Sequence, residues 1–139
     1  MTSEDLARSY LFKARARLAA LAVLRDAGDH SDVVREAQEL VELALKAMLR
    51  AVGIEPPKFH DVGPLLVEHR ARFLPEVAEA LERAAQISDR LRRDRELASY
   101  GDIDFIPTER YSAAQGRQAY DDAAWILALA EQAVGRPTS

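Results

Sequence analysis

Residues 31–52 have the sequence SDVVREAQELVELALKAMLRAV, which contains the clearest helical pattern of the chain. The apolar residues recur at three- and four-residue steps, so they share one side of an α-helix and predict a buried face. Ser31 or Asp32 is a suitable N-cap, and Gly53, which precedes a Pro-Pro pair, ends the helix. The apolar positions are Val34, Ala37, Val41, Ala44, Leu45, Met48 and Leu49.

Four more helical segments are predicted on either side of this one. The first ends at Gly28, a typical helix C-terminus, and forms a hairpin with the central helix. Ser112 and Gln115 have the spacing of a capping box, which opens the last helix. No segment alternates apolar and polar residues as a strand does. The first helix is predicted at about residues 5–27, and a short third helix is capped by Asp61. The fourth begins after Pro75 and covers about 76–99, and the fifth covers about 112–134.

Length and composition favour a single all-α domain over residues 1–139, with a short tail after about residue 135. The chain has 139 residues, no cysteine, 48% hydrophobic residues and a net charge of −4. We therefore expect an up-and-down bundle of four to five helices without disulfides or thiolate metal sites. The acidic N-terminus and the short apolar runs predict a cytoplasmic protein with no membrane association. The net charge argues against a protein that coats nucleic acid by bulk charge.

The unusual feature of the sequence is a cluster of charges near the end of the fourth helix. Extending the apolar stripe from Leu91 by three or four residues reaches Asp94 and Arg95. Both interrupt a face that is otherwise apolar, and a charge there is too costly to leave unpaired. We expect it to meet a partner charge, a dimer groove or a ligand. A guanidinium suits phosphate, because its fork of donors matches phosphate oxygens.

The same cluster is also compatible with a solvated, self-paired helix face. Oppositely charged residues occur at i,i+4 spacing, which stabilises an exposed helix without any ligand. The pairs predicted on this basis are Asp89–Arg93, Arg90–Asp94 and Arg92–Glu96.

Other residue patterns give no site for a metal or cofactor. His30, His60 and His69 lack the spacing of a helical metal site, and no Gly-rich phosphate loop or Ser-centred nucleophile motif is present. We expect neither a cofactor nor a metal. Tyr120 and Trp125 are expected to pack in the core or an interface.

Several motifs, in their order and spacing, resemble the HEPN family, the helical-bundle domains named for occurring in higher eukaryotes and prokaryotes as nucleotide-binding modules. The resemblance covers nearly the whole chain. The motifs are Asp26-Ala27-Gly28-Asp29 after the first helix, then Gln38, Glu42 and Lys46 on the second, Gly53-Ile54-Glu55-Pro56-Pro57, His60-Asp61, Ala98-Ser99-Tyr100-Gly101-Asp102, Pro107, and a helix that opens near Ser112.

The resemblance implies a dimeric bundle that is often paired with a minimal nucleotidyltransferase encoded beside it. Many members of the family are metal-independent ribonucleases, in which Arg holds the phosphate and a His four to six residues later transfers a proton. In this sequence Arg93, with Asp94 as its polar follower, and Arg95 both lead to Tyr100 instead of His. An unperturbed Tyr, with a pKa of about 10, is a poor general base near neutral pH, although it can donate a hydrogen bond or stack on a base.

The sequence therefore favours a binding or regulatory protein over an enzyme. The predicted phosphate- or nucleotide-binding residues are Arg93, Asp94, Arg95 and Tyr100, and the expected partners are a second copy, a minimal nucleotidyltransferase, and nucleotide or RNA in a toxin–antitoxin-type system. One alternative is a metal-independent endoribonuclease with Arg95 and Tyr100 as catalytic candidates. Another is a structural helical adaptor.

Overall fold

The computed structural model describes residues 2–58, 61–99 and 111–135, with the backbone alone for residues 96–99. Within these ranges the chain is helical and contains no strand, which confirms the predicted all-α class. The helices are α1 (Ser3–Asp26), α2 (His30–Ala51), α3 (Gly63–Glu68), a 3-10 turn (Arg70–Arg72), α4 (Pro75–Ala78), α5 (Leu81–Ser99) and α6 (Ala113–Val134). None of the described helices is both long and apolar enough to cross a membrane.

Helix α2 lies at the centre of the bundle and contacts α1, α5 and α6. Ser3 Oγ donates to the carbonyl oxygen of Arg50 at 3.0 Å, so the start of α1 lies beside the end of α2 and the two helices are antiparallel. The predicted apolar stripe of α2 is buried along its whole length. The sequence pattern of residues 31–52 therefore identifies the core of the fold, because a helix packed on three sides needs a wide apolar face.

The hairpin between α1 and α2 turns at Gly28, which has φ +80° as the predicted C-terminal position requires. Its N–H and that of Asp29 bond back to the carbonyls of Arg25 and Leu24, the two bonds of a Schellman motif. This turn is so short that Asp29 itself caps α2, and its carboxylate accepts the N–H of Asp32 at 3.4 Å. The prediction that Ser31 or Asp32 is the N-cap was therefore wrong.

The predicted fourth helix is divided into α4 and α5 by a turn at residues 79–80. The N–H of Ala80 bonds to the carbonyl of Val77 at 3.0 Å, three residues back, which tightens the chain at this point. Val77 and Leu81 on either side of the turn are both buried. Both belong to the apolar stripe predicted for this helix, whereas the turn that divides it was not predicted.

Helices α3 and α6 begin close to where the sequence predicts. Ser112 Oγ accepts the N–H of Gln115 at 3.2 Å and Gln115 Oε1 accepts the N–H of Ser112 at 2.9 Å, so the predicted capping box is present. The N-cap position of α3 is Val62, one residue later than predicted, but Asp61 Oδ1 still accepts the N–H of Gly63 at 3.1 Å. Both starts are thus stabilised by side chains from residues that the sequence singled out.

Candidate functional site: the arginine cluster of α5

The C-terminal half of α5 presents four arginines, and their guanidinium groups reach different neighbours. We call Arg90, Arg92, Arg93 and Arg95 the α5 arginine cluster. The partners of each arginine decide which of them remains available to a ligand.

Arg95 joins α5 to α2. One terminal nitrogen of its guanidinium donates to Gln38 Oε1, and the other lies 2.6 Å from Glu39 Oε1. The Arg95 side chain is 34% exposed and the Glu39 side chain 31% exposed. The charge that interrupts the apolar stripe therefore meets a partner charge on the central helix, one of the outcomes that the sequence predicted for it.

A polar chain continues from this contact along α2. Gln38 Nε2 donates to Glu42 Oε2 at 3.2 Å, and Lys46 Nζ lies 3.0 Å from Glu42 Oε1. The i,i+4 pair of Glu42 and Lys46 is as the sequence predicts. Burial alone would raise the pKa of the Glu42 carboxyl, but the hydrogen bonds and charges of Lys46, Gln38 and Arg95 together hold that pKa below its ordinary value. Glu42 is therefore stabilised as a carboxylate, which keeps the chain of contacts polar.

Arg90 points away from α2 and pairs with Asp122 on α6. The Asp122 side chain is only 5% exposed, and its second oxygen accepts from Gln118 Nε2 at 3.0 Å. The predicted Arg90–Asp94 pair was wrong, because a buried carboxylate on the neighbouring helix takes the guanidinium instead. Arg90 therefore links α5 to α6.

Arg92 and Arg93 are the outward members of the cluster. Arg93 pairs with Asp89 of the same helix, as predicted, and its side chain is 74% exposed. Arg92 lies 3.7 Å from Asp61 Oδ2, a carboxylate that also accepts from Ser88 Oγ at 3.1 Å. The predicted partner of Arg92, Glu96, has a side chain outside the described residues. Arg93 has the most exposed side chain of the cluster, and its one ion-pair partner among the described residues, Asp89, is itself exposed.

Asp94 lies half-buried beside a surface cavity of about 270 Å³ between α2, α5 and α6. Its backbone carbonyl accepts from the hydroxyl of Tyr111 at 2.5 Å. Its carboxylate makes no ion pair within the described part of the chain, although Arg90 and Gln118 line the same cavity. Polar groups from α5 and α6, together with Val34 of α2, thus surround a space next to the predicted site.

The structure brings Arg93, Asp94 and Arg95 to one end of α5, while the fourth predicted residue, Tyr100, lies outside the described residues. Sequence reasoning missed Glu39 and Asp122 as partners of the cluster. Both are acidic residues on the inner sides of long helices, which is the only signal that could have indicated them. The described residues contain no group of three or more acidic or histidine side chains arranged to hold a metal ion.

The model of the HEPN domain family matches residues 7–134. This chain belongs to the HEPN family. Comparison with curated proteins and with solved structures gave no significant match. The match begins within α1 and ends at the last residue of α6, so this HEPN domain includes the whole bundle together with the arginine cluster. Proteins of the family are generally related to nucleotides and RNA, which gives the cluster a ligand class to be tested.

Proposed function

We propose that this HEPN domain is a binding or regulatory subunit that holds phosphate groups of RNA or a nucleotide through Arg93 and Arg95. The observation that supports this proposal is that a fixed guanidinium and an exposed one belong to residues two positions apart on α5. Arg95 is held by Gln38 and Glu39, whereas Arg93 is 74% exposed and, among the described residues, pairs with Asp89 alone. An accessible guanidinium fork matches phosphate oxygens.

The exposed pair of Arg93 and Asp89 is a weak competitor for phosphate. An exposed i,i+4 ion pair contributes only about 0.3–0.5 kcal/mol, so an arriving phosphate displaces Asp89 at little cost. Arg93 then offers a bidentate pair of N–H groups. Arg95 uses two nitrogens for Gln38 and Glu39, which fixes the plane of its guanidinium and leaves further N–H donors. Residues two apart project from different sides of a helix, so Arg93 contacts one phosphate on the exposed face and Arg95 another where α5 meets α2.

The domain acts as a homodimer or together with a minimal nucleotidyltransferase in a toxin–antitoxin-type system. Membership of the HEPN family supports this assembly, as does the position of the cluster at the edge of the bundle, where a second chain can share the ligand. Sedimentation equilibrium of the purified chain measures the first arrangement. Co-purification from the native cell, with and without nuclease treatment, measures the second.

The direct test replaces Arg93 and Arg95 together by alanine and measures binding of single-stranded RNA and of ATP. We expect RNA affinity to fall by about tenfold or more, because each lost phosphate contact reduces both affinity and its salt dependence. The matched control is the double variant Arg8→Ala and Arg15→Ala. Arg8 pairs at i,i+4 with Glu4, as Arg93 does with Asp89, and Arg15 pairs across helices with Glu131 at 3.0 Å, as Arg95 does with Glu39.

The control removes the same charge from the same kinds of ion pair, so it should bind as the unmodified chain does. If the Arg93/Arg95 variant binds RNA, ATP and any co-purifying protein as tightly as the unmodified chain does, the proposal is refuted. Cleavage of the RNA in EDTA that Tyr100→Phe abolishes would replace it with the endoribonuclease alternative.

A further inference from the structure

A second cleft lies where the end of α1 meets the starts of α2 and α6. Its volume is about 390 Å³, and its charged and polar lining residues are Arg25, Asp26, His30 and Arg117. The first turns of α6 separate this cleft from the cavity beside Asp94: Gln115 and Gln118 line that cavity, whereas Ala113 and Arg117 line this cleft. The two spaces therefore lie on opposite sides of one helix end. We call the space between α1, α2 and α6 the corner cleft.

Arg117 has no partner in the described part of the chain, unlike every other arginine there. It is exposed and makes no hydrogen bond, ion pair or ring contact with a described residue. The other arginine of the cleft, Arg25, is held by Asp26 at 3.1 Å and lies over the ring of Tyr120 at 4.3 Å from its centre. One guanidinium is thus fixed and the other is open, the same arrangement as in the α5 arginine cluster.

His30 adds a ring nitrogen to the corner cleft. Its Nδ1 is buried without a hydrogen-bond partner, packed against Gly116, where a Cβ atom would overlap Nδ1 and lie 3.0 Å from Cγ. No hydrogen bond within the described residues occupies Nε2, and it is not a buried atom. Nε2 is therefore the ring nitrogen that can contact a ligand in the cleft.

The lining of the corner cleft carries two arginines and one aspartate. That aspartate, Asp26, is 72% exposed and already paired with Arg25. Asp29 caps α2, and Asp32 pairs with Arg35 at 3.4 Å. Helix α6 has a neutral cap and no acid in its first turn, and its dipole adds to the charge of Arg117. Arg117 is therefore the charged group of the lining that has no partner among the described residues.

We infer that the corner cleft binds a phosphodiester group of the RNA strand that the α5 arginine cluster holds, so that one strand passes over the start of α6. This inference rests on the proposed function and adds a second contact to it. Arg117 and Arg25 supply the guanidinium donors, and Nε2 of His30 adds a further contact. An open cleft with donors on facing helices suits a chain that passes through it, and amide side chains of Gln115 and Gln118 lie on the other side of the helix end that the strand crosses.

The test compares three variants in binding to a single-stranded RNA of about 12 nucleotides at several salt concentrations. Arg117→Ala removes the open guanidinium without breaking a hydrogen bond or ion pair among the described residues. Lys13→Ala is its control, because Lys13 is likewise exposed on a helix and makes no ion pair among the described residues. The double variant Arg93→Ala and Arg95→Ala tests the contact of the RNA with the α5 arginine cluster. Circular dichroism of each variant confirms that it remains helical.

The inference predicts that Arg117→Ala weakens RNA binding roughly three- to tenfold and lowers the slope of log K against log salt by about 0.7, the value for one phosphate of a single strand. Lys13→Ala should change neither quantity. If Arg117→Ala binds like Lys13→Ala while the Arg93/Arg95 variant is weakened, the corner cleft is refuted and the proposed function stands. If Arg117→Ala alone is weakened, the α5 site is refuted and RNA binds at the corner cleft. Unchanged binding by all variants refutes both.

Discussion

The guanidinium of Arg95 on α5 lies 2.6 Å from Glu39 Oε1 on α2, and this contact spans 56 residues of sequence. It places a charge of an otherwise apolar helix face against the central helix of the bundle. The same guanidinium bonds to Gln38, from which a polar chain runs to Glu42 and Lys46. Arg95 therefore acts both as a structural link and as the ordered half of the proposed phosphate site.

The first prediction concerns the stability that this link contributes. Arg95→Ala should lower the free energy of unfolding by about 1–2 kcal/mol, because it leaves the half-buried Glu39 carboxylate and the Gln38 amide without their partner. Arg93→Ala should lower it by less than about 0.5 kcal/mol, since it breaks only an exposed i,i+4 pair. Urea denaturation of the two variants measures both. Equal losses would show that Arg95 does not link α5 to α2.

The second prediction concerns pH. The pKa of Glu42 is lowered in the folded chain, so its carboxylate contributes stability that is fully present above the unfolded pKa and is lost as the pH falls through the folded pKa. The unmodified chain should therefore lose more stability than Glu42→Gln between about pH 6 and about pH 3. Denaturation curves across this range give the difference. Glu55→Gln, at an exposed position that has no ion pair with a described residue, is the control and should follow the unmodified chain.

Local patterns predicted the helices well and the pairing of charges less well. The stripe of α2, the Gly28 turn and the Ser112–Gln115 capping box depend on residues within a few positions, and the structure confirms all three. Asp89–Arg93 was predicted for the same reason, because both residues lie on one helix. Interactions of this kind are determined before the helices pack.

The partners of Arg90 and Arg95 could not be predicted from spacing. Arg90 has Asp94 at i+4, yet it pairs with Asp122, which lies 32 residues away. The choice depends on which carboxylate is buried by packing, since a buried carboxylate without a partner is far more costly than an exposed one. The site prediction itself, Arg93 with Asp94, Arg95 and Tyr100, stays a prediction, and Tyr100 lies outside the described residues.

The third prediction concerns the start of α6. Ser112→Ala should destabilise the chain by about 1 kcal/mol, because Ser112 Oγ accepts the N–H of Gln115 and alanine has no acceptor to replace it. Ser112→Asp keeps an acceptor and adds a negative charge at a helix start that has no acid in its first turn. It should therefore unfold at the same or a higher temperature than the unmodified chain. A thermal shift to lower temperature for Ser112→Asp would contradict this account.

The fourth prediction concerns Gly116, the residue that lets His30 pack against α6. In an open helix Gly→Ala gains about 1 kcal/mol, but here the new Cβ would overlap Nδ1 of His30 and lie 3.1 Å from its Cβ. We expect Gly116→Ala to cost about 1–3 kcal/mol, the range for overpacking a close contact. In the His30→Ala background the ring is absent, so the same change should become neutral or stabilising. A double-mutant cycle by urea denaturation measures this coupling, and additive effects would show that the two residues are not in contact.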